Sequence, residues 1–235
     1  MSVDLKVDWC SYQAAKWAVE HWHYSRRMPR SKMMTVGVWE NDAFIGTVIF
    51  SYGATPQIGS PYNLSQFQVC ELTRIAMRSH EVPVSRSVAA AVKLLKTKAP
   101  GLRLIVSFAD TEQNHFGIIY QAGNWVYTGE TKSGRVGFIV HGKKVHTRTI
   151  GLKPGGIQSL DWVRSNLDRN AGVWNGEPKH RYLYPLDRAM RKQIAPLALP
   201  YPKRETCGPS VEGDTPSQTE SSVRSAGAAP SSDLQ

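Results

Sequence analysis

The pattern of apolar and polar positions divides the N-terminal part of the chain into one helix and two strands. Ser11 can cap a helix over Tyr12–Ser25, where apolar side chains recur at helical spacing. Thr35–Trp39 and Phe44–Ser51 have the composition of strands, and the Asn-Asp pair at 41–42 between them suits a tight hairpin turn. These residues therefore predict a helix followed by a β-hairpin.

The middle of the chain, Val69–Gly129, carries the most informative pattern. It predicts, in order, a strand, a polar loop, a helix, a strand, a short helix and a strand. The nearly unbroken apolar run in its second strand is typical of a central strand buried on both faces. The predicted elements, after a polar loop at Gly53–Ser65, are the strand Gln66–Met77, the helix Pro83–Lys98 capped by Ser85 or its neighbours, the strand Leu102–Ala109, the helix Phe116–Gln121 closed by Gly123, and the strand Trp125–Thr128.

The remaining patterns complete a mixed α/β domain over residues 1–200. They predict a hairpin of Val136–Val140 and Val145–Ile150, a helix over Ser159–Leu167, and the closing segments Tyr182–Leu186 and Asp187–Ile194. From about Pro202 the composition shifts to Gly, Pro, Ser, Thr and acidic residues. Residues 201–235 are therefore expected to form a disordered polar tail.

Length and cysteine usage narrow the class of protein. At 235 residues the chain can bury a core without disulfide or metal staples. Cys10, Cys70 and Cys207 are far apart and form no CxxC pair, which favours a reducing cytoplasm. There is no apolar signal region at the N-terminus, and no apolar run reaches the ~20 residues that a membrane helix needs. We expect a soluble intracellular protein with no membrane partner.

The charge indicates the kind of partner. The net charge is +10, and because residues 201–235 carry −2, residues 1–200 carry +12. An excess of this size favours a polyanion such as nucleic acid, although a basic protein without such a partner is an alternative. The anionic part of a CoA-type donor would use only part of this charge.

The polar loop and the helix start after the strand Gln66–Met77 could bind an anion, because backbone N–H groups and the helix dipole favour negative charge there. An ordinary exposed helix start is the alternative. The order of elements resembles that of GNAT acyltransferases, which hold the pyrophosphate of CoA at this turn, but VSRSVA lacks their glycines. On this resemblance the donor is acetyl-CoA or another acyl or glycyl donor, and the residues expected to bind it are Ile75, Met77, Ser85, Arg86 and Ser87.

Two polar residues lie in apolar parts of the same block. Tyr120, in IIYQAGNWVY, resembles the GNAT tyrosine that serves as general acid toward the leaving thiolate, and simple packing beneath the sheet is the alternative. Asp110 ends the buried strand, where a charged residue is rare without a partner. It is a candidate ligand, base or binding carboxylate, or else the cap of an Asx turn.

Histidines, aromatic residues and arginines are concentrated in His21–Arg27, at the end of the first helix. On a regular helix His21 and His23 would point about 200° apart and could not share an ion. We therefore expect His23 to join Asp110, with His115 as a further candidate, although a packed or exposed histidine is the ordinary alternative.

On the long strand, Glu71 and Arg74 alternate with apolar side chains. They could line a cleft and orient substrate, or form a buried charge pair.

Five strings together resemble the Mom DNA-modification proteins of Mu-like bacteriophages, over roughly residues 10–190: HWHYSRRMP, VCELTRIAMR, PVSR, LRLIVSFAD and YQAGNWVYTG. The resemblance implies a GNAT-like fold, with a mixed but mostly antiparallel central sheet flanked by helices. It implies a transferase that converts adenine in double-stranded DNA to N6-carbamoylmethyl (acetamido) adenine. Such a modification would protect phage DNA from restriction enzymes in the cytoplasm of the bacterial host.

The same resemblance implies acetyl-CoA and iron as cofactors. It places iron on His23, Tyr24 and Asp110, and it adds Arg74 and Tyr120 to the active site, where His23 and Asp110 would also be catalytic. The residues that we expect to contact DNA are Arg26, Arg27, Arg30 and Lys32.

The implied chemistry makes two demands. Because N6 of adenine lies inside the duplex, the base must be flipped out, and Trp22, Tyr24 and Trp125 are candidate stacking surfaces. Acetyl transfer would join N6 to the carbonyl carbon of acetyl-CoA, whereas the family's product joins N6 to the methylene carbon and ends in a primary amide. A redox metal could activate that carbon, or a different glycyl or carbamoyl donor could supply it, and the sequence leaves both open.

Two other functions compete with this one. An ordinary GNAT N-acetyltransferase acting on a protein or small-molecule amine is disfavoured by the missing glycines and the strong positive charge. A non-catalytic DNA-binding protein would leave the set His23, Tyr24, Asp110 and Tyr120 without a purpose. The oligomeric state stays open, with a homodimer as one alternative.

Overall fold

The computed structural model describes residues 3–151, 153 and 155–203, and nearly all of the predicted tail lies outside this part. The strands are β1 (Leu5–Trp9), β2 (Met33–Glu40), β3 (Ala43–Ser51), β4 (Val69–Met77), β5 (Leu104–Asp110), β6 (Val126–Glu130), β7 (Gly134–Val140), β8 (Lys143–His146), β9 (Gly172–Gly176) and β10 (Lys179–Pro185). The helices are α1 (Tyr12–Trp22), α2 (Val84–Lys98), α3 (Ile118–Ala122), α4 (Thr147–Gly151), α5 (Leu160–Asn166) and α6 (Arg188–Ile194).

A seven-stranded sheet forms the centre of the fold, in the order β1-β2-β3-β4-β5-β10-β6. Every neighbouring pair is antiparallel except β4 and β5, which are parallel and are joined by the crossover helix α2. A smaller antiparallel sheet has the order β8-β7-β9. The predicted mixed α/β fold, with a mostly antiparallel sheet flanked by helices, is confirmed.

Helices cover both faces of the large sheet because its inner strands are apolar on both sides. On one face, α2 and α3 pack over Val48 and Phe50. On the other face, α1 packs over Ile49, and α6 packs over Leu104 and Val106. In the described residues, no helix is both long and apolar enough to cross a bilayer.

The block Val69–Gly129 folds in the predicted order of strand, loop, helix, strand, short helix and strand. The predicted cap at Ser85 is wrong: α2 begins directly after Pro83, which occupies the N-cap position and makes no side-chain capping bond. The predicted closure of the short helix is confirmed, since Gly123 is its C-cap.

The first helix is shorter than predicted. It starts with the expected cap at Ser11 but ends at Trp22, and His23 already has extended backbone angles. The chain turns here because the Ser25 N–H donates to the His23 ring instead of to a helical carbonyl, and Arg26 takes a left-handed conformation with φ 47°. His23 and Tyr24 therefore lie on a turn after the helix.

Other boundaries also differ from the sequence pattern. The predicted loop Gly53–Ser65 contains a 3-10 helix at Pro56–Tyr62. The predicted strand Val145–Ile150 is wrong beyond His146, because Thr147–Gly151 is helical and carries Ile150 into a small core with Phe138 and Val163. Two strands were not predicted, β1 and β9, and both are short with alternating exposure.

The parallel pair β4–β5 opens part-way along its length. The two strands are paired only from Val69 and Leu104 to Leu72 and Ser107. Immediately afterwards β4 bulges, since Phe50 of β3 faces Leu72 whereas the next residue, Ile49, faces Arg74. The strands therefore form a fork, with the second half of β4 on one arm and Phe108–Asp110 on the other.

Candidate active site

Ser107 stands at the base of the fork and connects its two strands to Tyr120. Its Oγ lies 2.9 Å from the carbonyl of Leu72 and 2.8 Å from the Tyr120 hydroxyl. Because a carbonyl can only accept, we assign the single Ser107 proton to Leu72 and the Tyr120 proton to Ser107. Burial raises the pKa of Tyr120 to about 12, so this phenol is protonated at neutral pH.

Tyr120 is placed by the tight turn that begins α3. Gly117 has φ 71°, and a Cβ there would collide with the ring of Tyr182, so only glycine fits without strain. The Tyr120 ring packs between Trp125 and Tyr182. The predicted stacking role of Trp125 is therefore wrong, since this tryptophan is only 2% exposed and belongs to the core.

The turn after α1 brings His23 and Tyr24 to the open end of the fork. Their rings stack with centroids 4.3 Å apart. The Nδ1 of His23 accepts the Ser25 N–H at 3.1 Å, which places the proton of the neutral ring on Nε2. Burial, with the nearby positive charge of Arg74, lowers the pKa of His23 to about 4, and the ring is therefore neutral at pH 7.

Tyr24 reaches Asp110 at the end of β5. Its hydroxyl donates to Asp110 Oδ2 at 3.2 Å, while half of the residue, 51%, remains exposed. Burial of the hydroxyl and the Asp110 carboxylate raise the pKa of Tyr24 to about 12. Tyr24 therefore presents a neutral phenol and an open ring face at the mouth of the fork.

Lys179 is the site residue that the sequence did not reveal. It lies directly opposite Asp110 in the β5–β10 pair, and its ammonium group is 3.0 Å from Asp110 Oδ2. Asp110 itself is nearly buried, and its Oδ1 has no hydrogen-bond partner among the described residues. In the sequence, Lys179 is only a lysine at the start of an aromatic segment. Its partner, Asp110, can be identified only from the register of two strands that are far apart in the chain.

Arg74 fixes the turn to the sheet. Its Nε donates to the carbonyl of Arg27 at 3.2 Å, and its Nη1 donates to the carbonyl of Thr73 at 2.7 Å. Arg74 therefore holds the segment after Tyr24 against the bulge of β4. Its predicted catalytic role remains a prediction, and these contacts support a role in positioning.

Of the two other histidines considered as ligands, His115 lies near the site and His21 lies away from it. His115, the further candidate, meets the edge of the Tyr24 ring at 5.6 Å between centroids, and its backbone N–H donates to the carbonyl of Asp110. His21 stacks on Trp17 along α1. His23 stacks on Tyr24, which bonds to Asp110, and the expected joint role of His23 and Asp110 stays a prediction.

The side chains proposed to hold iron lie together, and most of their donor atoms are already engaged, whereas Asp110 Oδ1 has no hydrogen-bond partner among the described residues. His23 uses Nδ1 to accept from Ser25 and carries its proton on Nε2, Tyr24 keeps its proton, and Asp110 Oδ2 is paired with the Lys179 ammonium. In the described part of the chain, no group of three or more His, Cys, Asp or Glu side chains is placed to hold a metal ion. The engaged atoms do not support iron bound by His23, Tyr24 and Asp110, and this assignment stays a prediction.

The residues expected to bind the donor lie on β4 and at the start of α2. Ile75 and Met77 pack against the hydrophobic core that α2 and α3 form with the large sheet. Arg86 is exposed and Ser85 half-buried, whereas Ser87 is fully buried with no hydrogen-bond partner for its Oγ in the described residues. Ser87 therefore faces the core, whereas Ser85 and Arg86 are accessible from solvent.

The cationic side chains expected to contact DNA follow His23 and Tyr24 directly. All four are exposed, and none forms an ion pair with a described carboxylate: Arg26, Arg27, Arg30 and Lys32. We name residues 26–32 the basic segment. Trp22, just before the turn, is half-buried against Phe44, which leaves Tyr24 as the exposed ring of the three proposed stacking surfaces.

Comparison with solved structures finds acetyltransferases. An aminoglycoside acetyltransferase in complex with coenzyme A and kanamycin has a TM-score of 0.46 and 10% identity, covering 81% of this chain and 98% of that one. An N-acetyltransferase from Staphylococcus aureus Mu50 has a TM-score of 0.43 and 11% identity, covering 79% and 99%.

Comparison of sequences is more specific. The methylcarbamoylase mom of Escherichia phage Mu is 26% identical over 211 residues, covering 86% of this chain and 85% of that protein. The model of the Mom protein family matches residues 4–203. These matches confirm the predicted resemblance and the transferase class. Because the family model spans most of the chain, the protein belongs to the Mom protein family.

Proposed function

We propose that the protein joins a carbamoylmethyl group to N6 of adenine in double-stranded DNA. Membership of the Mom family and the relative named as a methylcarbamoylase support a transfer of this kind. The net charge of +10 supports a polyanionic substrate, bound mainly through its phosphates. The expected result is DNA that resists restriction enzymes in the cytoplasm of a bacterial host.

The single observation that carries the proposal is the position of Tyr24. Its ring is exposed at the mouth of the fork, its hydroxyl bonds to Asp110, and the basic segment begins two residues later. A duplex held by the basic segment would therefore present a flipped base next to a phenol, a carboxylate and an ammonium group. An ordinary N-acetyltransferase has no need of this cationic surface.

Tyr24 can also stabilise the flipped base. Extruding a base costs a few kcal/mol of lost stacking and pairing. Stacking on an aromatic ring contributes about 1–3 kcal/mol per base, and the neutral His23 ring supports Tyr24 from behind at 4.3 Å. The pair thus offsets part of the cost of flipping.

The transfer requires a proton acceptor for N6. In the proposed step, the N6–carbon bond forms as N6 loses a proton to the Tyr24 oxygen, while the Tyr24 proton passes to Asp110 Oδ2, 3.2 Å away. A relay of this type is general base catalysis, which contributes about 10²–10⁴-fold to a rate. Lys179 remains charged and stabilises the Asp110 carboxylate before the transfer.

The donor in this scheme already carries the carbamoylmethyl group on a leaving group. The bond between the methylene carbon and the leaving group breaks, and the leaving group departs with the electron pair. Tyr120, protonated because its pKa is about 12, gives up its hydrogen bond to Ser107 and donates its proton to the leaving group. The protons balance because Asp110 has gained, through Tyr24, the proton that N6 lost, and exchange with solvent returns a proton to Tyr120. No step in this scheme passes through iron.

A restriction assay tests the proposed function. Plasmid DNA from bacteria that express the protein should resist an endonuclease whose site contains adenine, and a second endonuclease whose site has only G·C pairs should cut it normally. Equal cleavage by both enzymes, with soluble protein present, would contradict the proposal. Resistance to both would show that the modification is not specific to adenine.

A further inference from the structure

The carboxylate of Glu40, a side chain of the protein itself, occupies the turn between β4 and α2. Glu40 Oε1 accepts the backbone N–H of Val82 at 2.7 Å, and both of its carboxylate oxygens lie 3.2 Å from the backbone N of Glu81. These amides immediately precede a 15-residue helix that starts at Val84. Backbone N–H groups in such a place are the usual means of binding a phosphate.

The hairpin of β2 and β3 directs Glu40 into this turn. Glu40 is the last residue of β2, and the next two, Asn41 and Asp42, both take left-handed conformations that reverse the chain. Asn41 forms two hydrogen bonds with the backbone of Asp4, the residue just before β1. The Glu40 carboxylate therefore sits at a rigid corner, and the residue is only 8% exposed.

The occupied amides are not available to a ligand. A carboxylate bound by backbone N–H groups at the positive end of a helix is a charge-assisted contact, like that of a phosphate oxygen. The next residue, Pro83, has no N–H, and its carbonyl accepts from Arg86 and Ser87 as the helix begins. A diphosphate brought to this turn would meet the negative charge of Glu40.

We propose that Glu40 is the resident anion of this turn and that the protein does not anchor its donor by a diphosphate there. The inference rests on the proposed function only in taking the protein to bind a small-molecule donor. The donor would then be a molecule that carries the transferred group and whose affinity for the protein does not come from a nucleotide diphosphate. The presence of Glu40 also explains physically why the turn lacks glycine, because no phosphate needs close approach to its backbone.

Calorimetry with the full chain and two probes, coenzyme A and pantetheine, tests the inference. The two share the thiol arm, and only coenzyme A has the diphosphate and nucleotide. In the wild type we expect coenzyme A to bind no more than about threefold more tightly than pantetheine, or neither to bind. Tighter binding of coenzyme A than this would overturn the proposal.

A pair of variants assigns the effect to Glu40. Glu40→Ala should free the two amides and make coenzyme A at least about tenfold tighter than pantetheine. The control Glu81→Ala removes an exposed carboxylate from the same turn, leaves Glu40 in place, and should keep the wild-type ratio. A folded Glu40→Ala protein with the wild-type ratio would overturn the role of Glu40.

A measurement on the wild type covers the case in which Glu40→Ala does not fold. The amide NMR signals of Glu81 and Val82 should not move when coenzyme A is added, and a shift of both on saturation would overturn the proposal. These results are separate from adenine modification. Modified DNA together with diphosphate-dependent binding would refute this inference alone, and unmodified DNA would refute the proposed function alone.

Discussion

At the scale of single residues, the site combines two neutral side chains with a pair of charged side chains. His23 and Tyr24 are both uncharged at neutral pH, because burial lowers the pKa of the first and raises that of the second. Asp110 and Lys179 form a charged pair beside them. This contrast places one exposed phenol next to a carboxylate that can take its proton.

Replacing Tyr24 by Phe tests the proposed relay. Tyr24→Phe keeps the ring and its stacking on His23 but removes the hydroxyl that donates to Asp110. We expect adenine modification to fall by about 10²-fold or more, with a loss of stability of about 1 kcal/mol. The matched control is Tyr12→Phe, an equally exposed tyrosine at the start of α1, which should change neither property.

The protonation of His23 gives a second prediction at this scale. NMR of the imidazole nitrogens should show Nε2–H and titration at about pH 4, well below the ordinary 6.5. Because the unfolded state binds this proton more readily, His23 should lower stability as the pH falls from 6.5 toward 4. A pKa near 6.5, or a proton on Nδ1, would contradict the geometry and leave Nε2 open to a metal.

At the scale of elements, the fork between β4 and β5 creates the site. Pairing ends at Leu72 and Ser107, and the bulge in β4 turns Arg74 toward the segment after α1. The hydrogen bonds of Ser107 join β4, β5 and α3 at the point where the strands separate. One hydroxyl group therefore links these three elements.

A double-mutant cycle measures this junction. Ser107→Ala removes the hydroxyl that bonds both the Leu72 carbonyl and the buried Tyr120 hydroxyl, and should cost about 1–3 kcal/mol in the free energy of unfolding. Tyr120→Phe should cost less in the Ser107→Ala background than in the wild type, with a coupling of at least about 0.5 kcal/mol. Additive effects in denaturant unfolding would mean that the contact does not stabilise the fork.

The order of elements could be predicted from the sequence, whereas their ends and pairings could not. The apolar run of β5 and the caps at Ser11 and Gly123 are local signals. The end of α1 was missed because the competing bond, from the Ser25 N–H to the His23 ring, has no pattern in the sequence. Strand β1 was missed although Leu5–Trp9 alternates, since five residues give a weak signal.

The site residues also include some that the sequence could reveal and some that only the folded structure reveals. The sequence pattern brought His23 and Asp110 forward, family resemblance added Tyr24 and Tyr120, and the fold places them around one fork. Lys179 and Glu40 act across strand pairs and turns that only the folded chain brings together. Their contacts place an ammonium group on Asp110 and a carboxylate on the turn before α2.

At the scale of the whole molecule, a group of exposed cationic side chains lies next to the candidate site in the chain. The basic segment is exposed and is continuous in the chain with His23 and Tyr24. DNA binding through such residues is largely independent of sequence and is weakened by salt, since cations are released from the phosphates. We therefore expect recognition of the duplex and placement of the base to come from the same turn.

The salt dependence of binding tests this arrangement. Arg27→Gln combined with Arg30→Gln should reduce the magnitude of the slope of log K against log salt concentration by about 1 for each phosphate that the variant no longer binds. The control is Lys16→Gln, whose side chain on α1 pairs with Glu20 at 3.7 Å. An unchanged slope in the double variant, measured by fluorescence anisotropy on duplex DNA, would place the DNA elsewhere.

The most direct test of the central claim is mass spectrometry of nucleosides from the DNA of bacteria that express the protein. We predict a deoxyadenosine whose mass is increased by one carbamoylmethyl group, present with the wild type and absent with Asp110→Asn. An N6-acetyl product would show the ordinary acyl transfer instead. Only unmodified nucleosides, with the wild-type protein folded and abundant, would contradict the account.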